Sequence, residues 1–190
     1  MANTNTFQII GGEHRGRKLQ FPDASGLRPT PGKVRETLFN WIQFECYNKS
    51  YLDLFAGSGA LSFEAFSRGA NQVIGVEKNP KVYQILEKNR KLFKSDKIQL
   101  INQDAFEFLS QSSDKTYDFV FLDPPFNQDS IIKALKLLKN GNFITHKSKI
   151  YIESEFQIDQ DFLAPIFSQK IKINKQKRAG AVHYALLELL

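Results

Sequence analysis

A glycine loop after a short apolar strand, and two acids at the ends of apolar runs, could do chemistry here. Asp53 opens Asp53-Leu-Phe55-Ala56-Gly57-Ser58-Gly59, Glu77 closes Val73-Ile-Gly-Val-Glu77, and Asp123 heads Asp123-Pro124-Pro125-Phe126. Apolar strand, glycine turn and helix together make the nucleotide site of an open α/β sheet. The glycines admit a ligand close to the backbone, and the helix N-terminus offers N–H groups to an anion. Glu77 lies 18 positions after Gly59 (77 minus 59). Roughly 20 is the spacing at which an acid reaches ribose hydroxyls in dinucleotide folds. A carboxylate accepts two such hydrogen bonds where a neutral side chain cannot. The Asp123 run suits another task. Its prolines fix φ and lack N–H groups, so Asp123 and the Pro124 carbonyl form a stiff pair of acceptors. Phe126 adds a flat ring. An exocyclic amine on a planar base needs two acceptors and a stacking surface. A structural turn is the plain alternative, but the combination favours function. Asp104 closes another apolar run ahead of Ala105; it could accept from an adenine amino group, cap the next helix, or do both.

The elements that must hold these acids follow from pattern. Strands are expected at 51–55, 73–77, 97–101, 119–122 and 150–154, and helices at 60–69, 80–94, 105–111 and 130–139. Phe119 to Leu122 is wholly apolar, as in a strand covered on both faces. In the 80–94 helix Val82, Ile85, Leu86, Leu92 and Phe93 are expected to face inward. Residues 170–175 alternate as a half-buried edge strand, and 182–189 form its antiparallel neighbour after Gly180. The expected fold class is α/β, a Rossmann-like sheet with a terminal antiparallel pair.

Before the first nucleotide strand lies a basic unit. Residues 7–21 read as strand, glycine turn and strand, with Arg15, Arg17 and Lys18 on a small mobile tip. Arg28, Lys33 and Arg35 follow, and together they suggest a phosphate-gripping patch. Thr30 then Pro31 reads as an N-cap and first helical position. Val34, Leu38, Trp41 and Ile42 would make the buried face of that helix, with Arg35 towards the other side. Two domains are expected, a basic phosphate-gripping extension at 1–48 and the domain of the nucleotide site at 49–190.

The chain has 190 residues, 26 Lys and Arg against 20 Asp and Glu, and a net charge of +6, which points to a polyanionic partner. The single Cys46 excludes an internal disulfide, and no Cys/His cluster suggests zinc, so no metal is expected. The polar opening Met1 to Thr6 is unlike a signal peptide, and no apolar run reaches the roughly 18–20 residues of a membrane span. A cytoplasmic protein with no membrane partner is expected.

The chain resembles the RsmD family of bacterial 16S ribosomal RNA guanine-N2 methyltransferases, within the class I S-adenosylmethionine-dependent enzymes. The resemblance lies in Ile9-Ile-Gly-Gly with Arg15-Gly-Arg-Lys-Leu19, Leu27-Arg-Pro-Thr30 with Val34-Arg-Glu-Thr-Leu-Phe-Asn-Trp41, Asp53 to Gly59 continuing to Arg68-Gly-Ala70, Glu77, and Asp123-Pro-Pro-Phe126. The N-terminal segments separate this family from other methyltransferases. Gln8 stands where the family usually has Arg, and Pro31-Gly32-Lys33 where it tends to have an acid and Arg. Ser62 replaces a common glycine, a change expected to matter little.

The resemblance implies a seven-stranded, mostly parallel sheet with one antiparallel edge strand. It implies S-adenosylmethionine held by Asp53, Phe55, Ala56, Gly57, Ser58, Gly59, Glu77, Lys78, Asp104 and Ala105. Asp123, Pro124 and Phe126 would act on the target guanine, and Arg15, Arg17, Lys18, Arg28, Lys33 and Arg35 would hold RNA. The implied partner is 16S rRNA within a small-subunit particle or assembly intermediate, and the protein is expected to be a monomer. The same acceptor pair would also suit DNA adenine N6 or a protein glutamine amide. An NAD-type oxidoreductase shares the loop and acid, but Ser62 takes the place of its third glycine and the Asp-Pro-Pro-Phe run goes unexplained.

Overall fold

The apolar residues Phe7, Leu19 and Phe21 line one side of an antiparallel ribbon, β1 (Thr4–Gln8) and β2 (Lys18–Pro22), with Phe7 paired to Leu19. The computed structural model describes residues 4–23, 27, 29–125, 128–167 and 170–190. These divide into two compact units, residues 1–104 and 105–190.

The first unit continues with α1 (Gly32–Trp41), β3 (Ser50–Asp53), α2 (Ala60–Ser67), β4 (Gln72–Val76), α3 (Pro80–Lys91) and β5 (Ile98–Ile101). Strand β4 pairs in parallel with both β3 and β5, and its residues Val73 to Val76 are buried, as a strand covered on both faces requires. Asn79 caps α3 with its side chain, and Pro80 follows where a missing N–H costs nothing. The ribbon rests on α3. The buried Asn89 accepts the Gln20 N–H at 3.3 Å and donates to the Gln20 carbonyl at 2.7 Å, so one amide serves β2 as a neighbouring strand would.

The second unit holds α4 (Ala105–Ser110), β6 (Phe119–Leu122), α5 (Gln128–Asn140), β7 (Lys149–Ser154), α6 (Gln160–Phe167), β8 (Ile171–Ala179) and β9 (Val182–Leu189). Strands β6 and β7 are parallel, while β9 is antiparallel to both β7 and β8. All four β6 residues are buried. The sheet order is β5-β4-β3-β6-β7-β9-β8, a seven-stranded, mostly parallel, Rossmann-like sheet with the antiparallel strand near one edge, as expected. No helix among the described residues is long and apolar enough to cross a membrane.

Several local expectations change. Pro31, not Thr30, is the N-cap of α1, and no side chain caps it. The Thr30 carbonyl instead accepts from Arg35 Nε at 3.1 Å. Helix α3 stops at Lys91, so Leu92 leaves the inward phase and is 56% exposed. Trp41 is half-buried at the last position of α1. The stretch before β8 is a helix, α6, that carries Pro165 in its interior.

Candidate cofactor loop and acceptor acid

The loop between β3 and α2 is built around two carboxylates. Asp53, the last residue of β3, is 2% exposed and accepts the Ser62 hydroxyl at 2.6 Å. Burial pushes its carboxyl up to about 6, although the Ser62 hydroxyl and the Phe55 N–H pull the other way. Ser62 is therefore the hydrogen-bond partner of a buried acid, against the expectation that it matters little. Ala56 donates its N–H to the Val76 carbonyl at 2.9 Å, which carries the β3–β4 pairing into the loop. The buried Ser58 accepts the Ala60 N–H at 3.3 Å. Gly59 is the N-cap of α2 with φ of 79°. A Cβ there would lie 2.5 Å from the Phe63 ring and 2.7 Å from Leu86, so only glycine fits.

Glu77 binds this loop directly. It is half-buried, and its Oε2 accepts the Gly57 N–H at 2.9 Å while Oε1 accepts the Asn79 N–H at 2.7 Å. Each oxygen keeps a second acceptor direction. Burial raises this carboxyl too, opposed by the Asn79 and Gly57 hydrogen bonds. The Glu77 backbone is fixed in turn: its N–H donates to the Ile101 carbonyl at 3.0 Å, and Asn102 donates to the carbonyls of Glu77 at 2.7 Å and Lys78 at 3.2 Å. Sequence reading gave Asn102 no role; its signal was a carboxamide at the end of the neighbouring strand. Phe55 and Asp104 are half-buried, Lys78 is exposed, and Ala105 is buried at the start of α4.

In the second unit, Asp123 follows the buried β6 immediately and is half-buried; Pro124 is buried and Pro125 exposed. Phe126, the expected stacking ring, lies outside the described residues.

Comparison with known proteins settles the family. A family model described as conserved hypothetical protein 95 matches residues 7–188. The Escherichia coli "Ribosomal RNA small subunit methyltransferase D" is 37% identical over 187 residues, 98% of this chain and 92% of that protein. The Haemophilus influenzae protein of the same name is 39% identical over 184 residues, covering 95% and 93% of the two chains. The chain belongs to the RsmD family. The solved structure of the Escherichia coli protein yhhF superposes with a TM-score of 0.86 at 36% identity, over 97% of this chain and 98% of that one.

The RsmD-like N-terminal loop is fastened rather than mobile. Gly12, with φ of 77°, lies so close to α2 that a Cβ would stand 1.8 Å from the Ser67 carbonyl oxygen. That carbonyl accepts the Glu13 N–H at 2.7 Å, and the Ser67 hydroxyl accepts the His14 N–H at 2.9 Å. The His14 ring stacks on Phe66 at 5.3 Å and meets Phe93 edge-on at 4.9 Å. Arg17 lies over Phe93 at 4.9 Å and donates to the Leu92 carbonyl at 3.0 Å. Arg15, Arg17, Lys18 and Lys33 are exposed, and Arg28 lies outside the described residues.

Arg35 belongs to the interior. It is 4% exposed, donates to the Thr30 and Gln8 carbonyls, and stands 3.5 Å from the fully buried Glu64. Burial lowers its pKa, against the pull of Glu64. Its guanidinium cannot reach a phosphate at the surface, so it ties the N-terminal segment to α2. Glu64 also accepts the N–H groups of Ile10 and Gly11, each at 2.9 Å, and Arg68 Nε at 2.8 Å.

Proposed function

We propose that this protein transfers a methyl group from S-adenosylmethionine to the exocyclic N2 of a guanine in 16S ribosomal RNA. The small subunit as target follows the names of its RsmD relatives. The observation that carries the chemistry is Asp123, half-buried at the end of a wholly buried strand and followed by two prolines that supply acceptors but no donors.

The loop residues suit the cofactor. Glu77 can accept ribose hydroxyls with the acceptor directions that its two backbone bonds leave, and the Gly57–Gly59 backbone offers close approach. Asp53 supports the loop from beneath through Ser62, and Asp104 with Ala105 would meet the adenine. Bound there, S-adenosylmethionine supplies an electrophilic methyl group. Guanine N2 is a weak nucleophile because its lone pair is delocalised into the ring. Asp123 and the Pro124 carbonyl accept its two hydrogens, hold it in line and restore lone-pair density on nitrogen. As nitrogen turns positive, the Asp123 carboxylate stabilises the charge where it develops, and it can take the released proton. Phe126 would stack the base, worth roughly 1–3 kcal/mol. The target must leave its stack, which costs least in a loop. Residues 1–48 form the RNA-contacting extension and 49–190 the catalytic domain in this reading.

The test is labelled methyl transfer to small-subunit particles that lack the modification, with wild type beside Asp123→Ala, followed by mapping of the labelled nucleotide. Label on a guanine N2, reduced about 100-fold or more in the variant, is the expected result. Cofactor binding without label on RNA would overturn the substrate, and full transfer by Asp123→Ala would overturn the acceptor role.

A further inference from the structure

The register of β6 and β7, carried one residue beyond their last pair, points to a second carboxyl group next to Asp123. Strands β6 and β7 run in parallel register from Phe119 opposite Lys149 to Leu122 opposite Ile152. The next residues on each chain are Asp123 and Glu153. Paired residues of neighbouring strands point to the same face. The preceding pair of the same parity shows this: the Phe121 and Tyr151 rings meet edge-on with centroids 6.1 Å apart. Glu153 is 5% exposed, and the Tyr151 hydroxyl donates to its Oε1 at 2.9 Å. Burial holds the Tyr151 proton most strongly, and the charges of Glu153 and Asp123 add to it, so both carboxylates lie within electrostatic reach of one phenol.

Other strands complete the surroundings. Tyr184 of β9 lies opposite Glu153, with its ring 6.4 Å from Tyr151. His183 lies opposite Ser154, and Arg178 of β8 opposite His183. The sequence stretch Tyr151-Ile-Glu153 was read only as a strand, and the proposed function gives it no task.

We infer that Glu153, seated on the Tyr151 hydroxyl, is a positioning residue that strengthens Asp123 as hydrogen-bond acceptor and proton acceptor. The inference rests on the reading of Asp123 given above. Two carboxylates at adjacent register positions, one half-buried and one buried, resist ionising together. In such a pair the charge on one carboxylate makes the other hold a proton more tightly. A more basic Asp123 accepts more strongly from the amine and from the nitrogen that turns positive. No bond to Glu153 forms or breaks; its charge is the contribution, and Tyr151 keeps that charge in place by donating to it.

The experiment is the pH profile of single-turnover methyl transfer to modification-deficient small-subunit particles at saturating S-adenosylmethionine. Wild type, Glu153→Gln, Tyr151→Phe and Asp123→Asn are compared, with unfolding temperature and cofactor affinity measured for each. In Glu153→Gln the acid limb is expected to move down by roughly one pH unit and the plateau rate to fall, with cofactor affinity unchanged. Tyr151→Phe should move the limb the same way, because Glu153 without its donor takes up the proton first. If Asp123→Asn loses activity but the limb of a folded Glu153→Gln stays in place, this inference falls alone. Full activity of Asp123→Asn would overturn the acceptor reading and this inference with it. Should Glu153→Gln fail to fold, the limb of Tyr151→Phe decides: a downward shift supports the inference and an unmoved limb overturns it.

Discussion

Asp53 and Ser62 show how one hydroxyl governs a buried acid. The Asp53 carboxyl, ordinarily near 3.8, is pushed up to about 6 by burial. The native state therefore binds its proton more tightly than the unfolded chain does. The penalty for ionising it is absent below the unfolded value, grows between the two values, and is complete above about 6. Two pH units correspond to roughly 3 kcal/mol, an upper figure for one group. The Ser62 hydroxyl, at 2.6 Å, lowers that penalty by bonding the charged form. Ser62→Ala should thus destabilise the protein by about 1–3 kcal/mol near neutral pH and by less near pH 4.5, where Asp53 keeps its proton. Urea unfolding at the two pH values checks this, and equal losses at both would contradict the account. Glu77 was legible in the sequence as an acid at a strand end after a glycine loop, and Asp53 through the family resemblance alone. Ser62 was not, because its partner lies nine positions away on another element and a serine in a helix carries no signal of its own.

At the scale of elements, one buried carboxylate joins the Ser67 hydrogen bonds in holding the N-terminal segment to α2. Glu64 is fully buried and collects two backbone N–H groups, Arg68 and Arg35. Truncating it leaves the 4%-exposed Arg35 charged without its counter-ion. Breaking a buried pair from one side costs about 3–5 kcal/mol. Glu64→Ala should lose that much in urea unfolding, and Arg35→Met in the same background should recover part of it, because two buried charges then vanish together. A loss below about 1 kcal/mol in Glu64→Ala would show that the pair is hydrated. The apolar period located α1 correctly, since Val34, Leu38 and Ile42 are buried. It misplaced Arg35 because a guanidinium one position from that face can turn inward once a carboxylate waits there. Helix α6 was missed because Pro165 argues against a helix and only the packing of Leu163, Ile166 and Phe167 overrides it. The pairing inferred for Glu153 and Asp123 rests on register, a property of two strands that neither segment reveals alone.

For the whole molecule, the question is how a net charge of +6 becomes an address. Charge alone attracts any polyanion and falls away with salt. Here part of it is fixed in position: the loop around His14 is clamped between α2 and the two phenylalanines, so Arg15 and Lys18 project from a seat that needs little ordering on binding. Each such cation that neutralises a phosphate releases counter-ions, and the logarithm of affinity then falls with the logarithm of salt by about 0.7 to 0.9 per contact. Arg15→Ala and Lys18→Ala should each weaken binding to an RNA stem-loop and flatten that salt dependence by roughly one such step, with unfolding temperature unchanged. Arg35→Ala should do the reverse, lowering the unfolding temperature while leaving the salt slope of the folded fraction as it was. Titrations at several salt concentrations separate the two kinds of arginine. If the slope drops for Arg35→Ala and not for Arg15→Ala, the RNA face lies elsewhere on the molecule and the clamped loop is there only to close the fold.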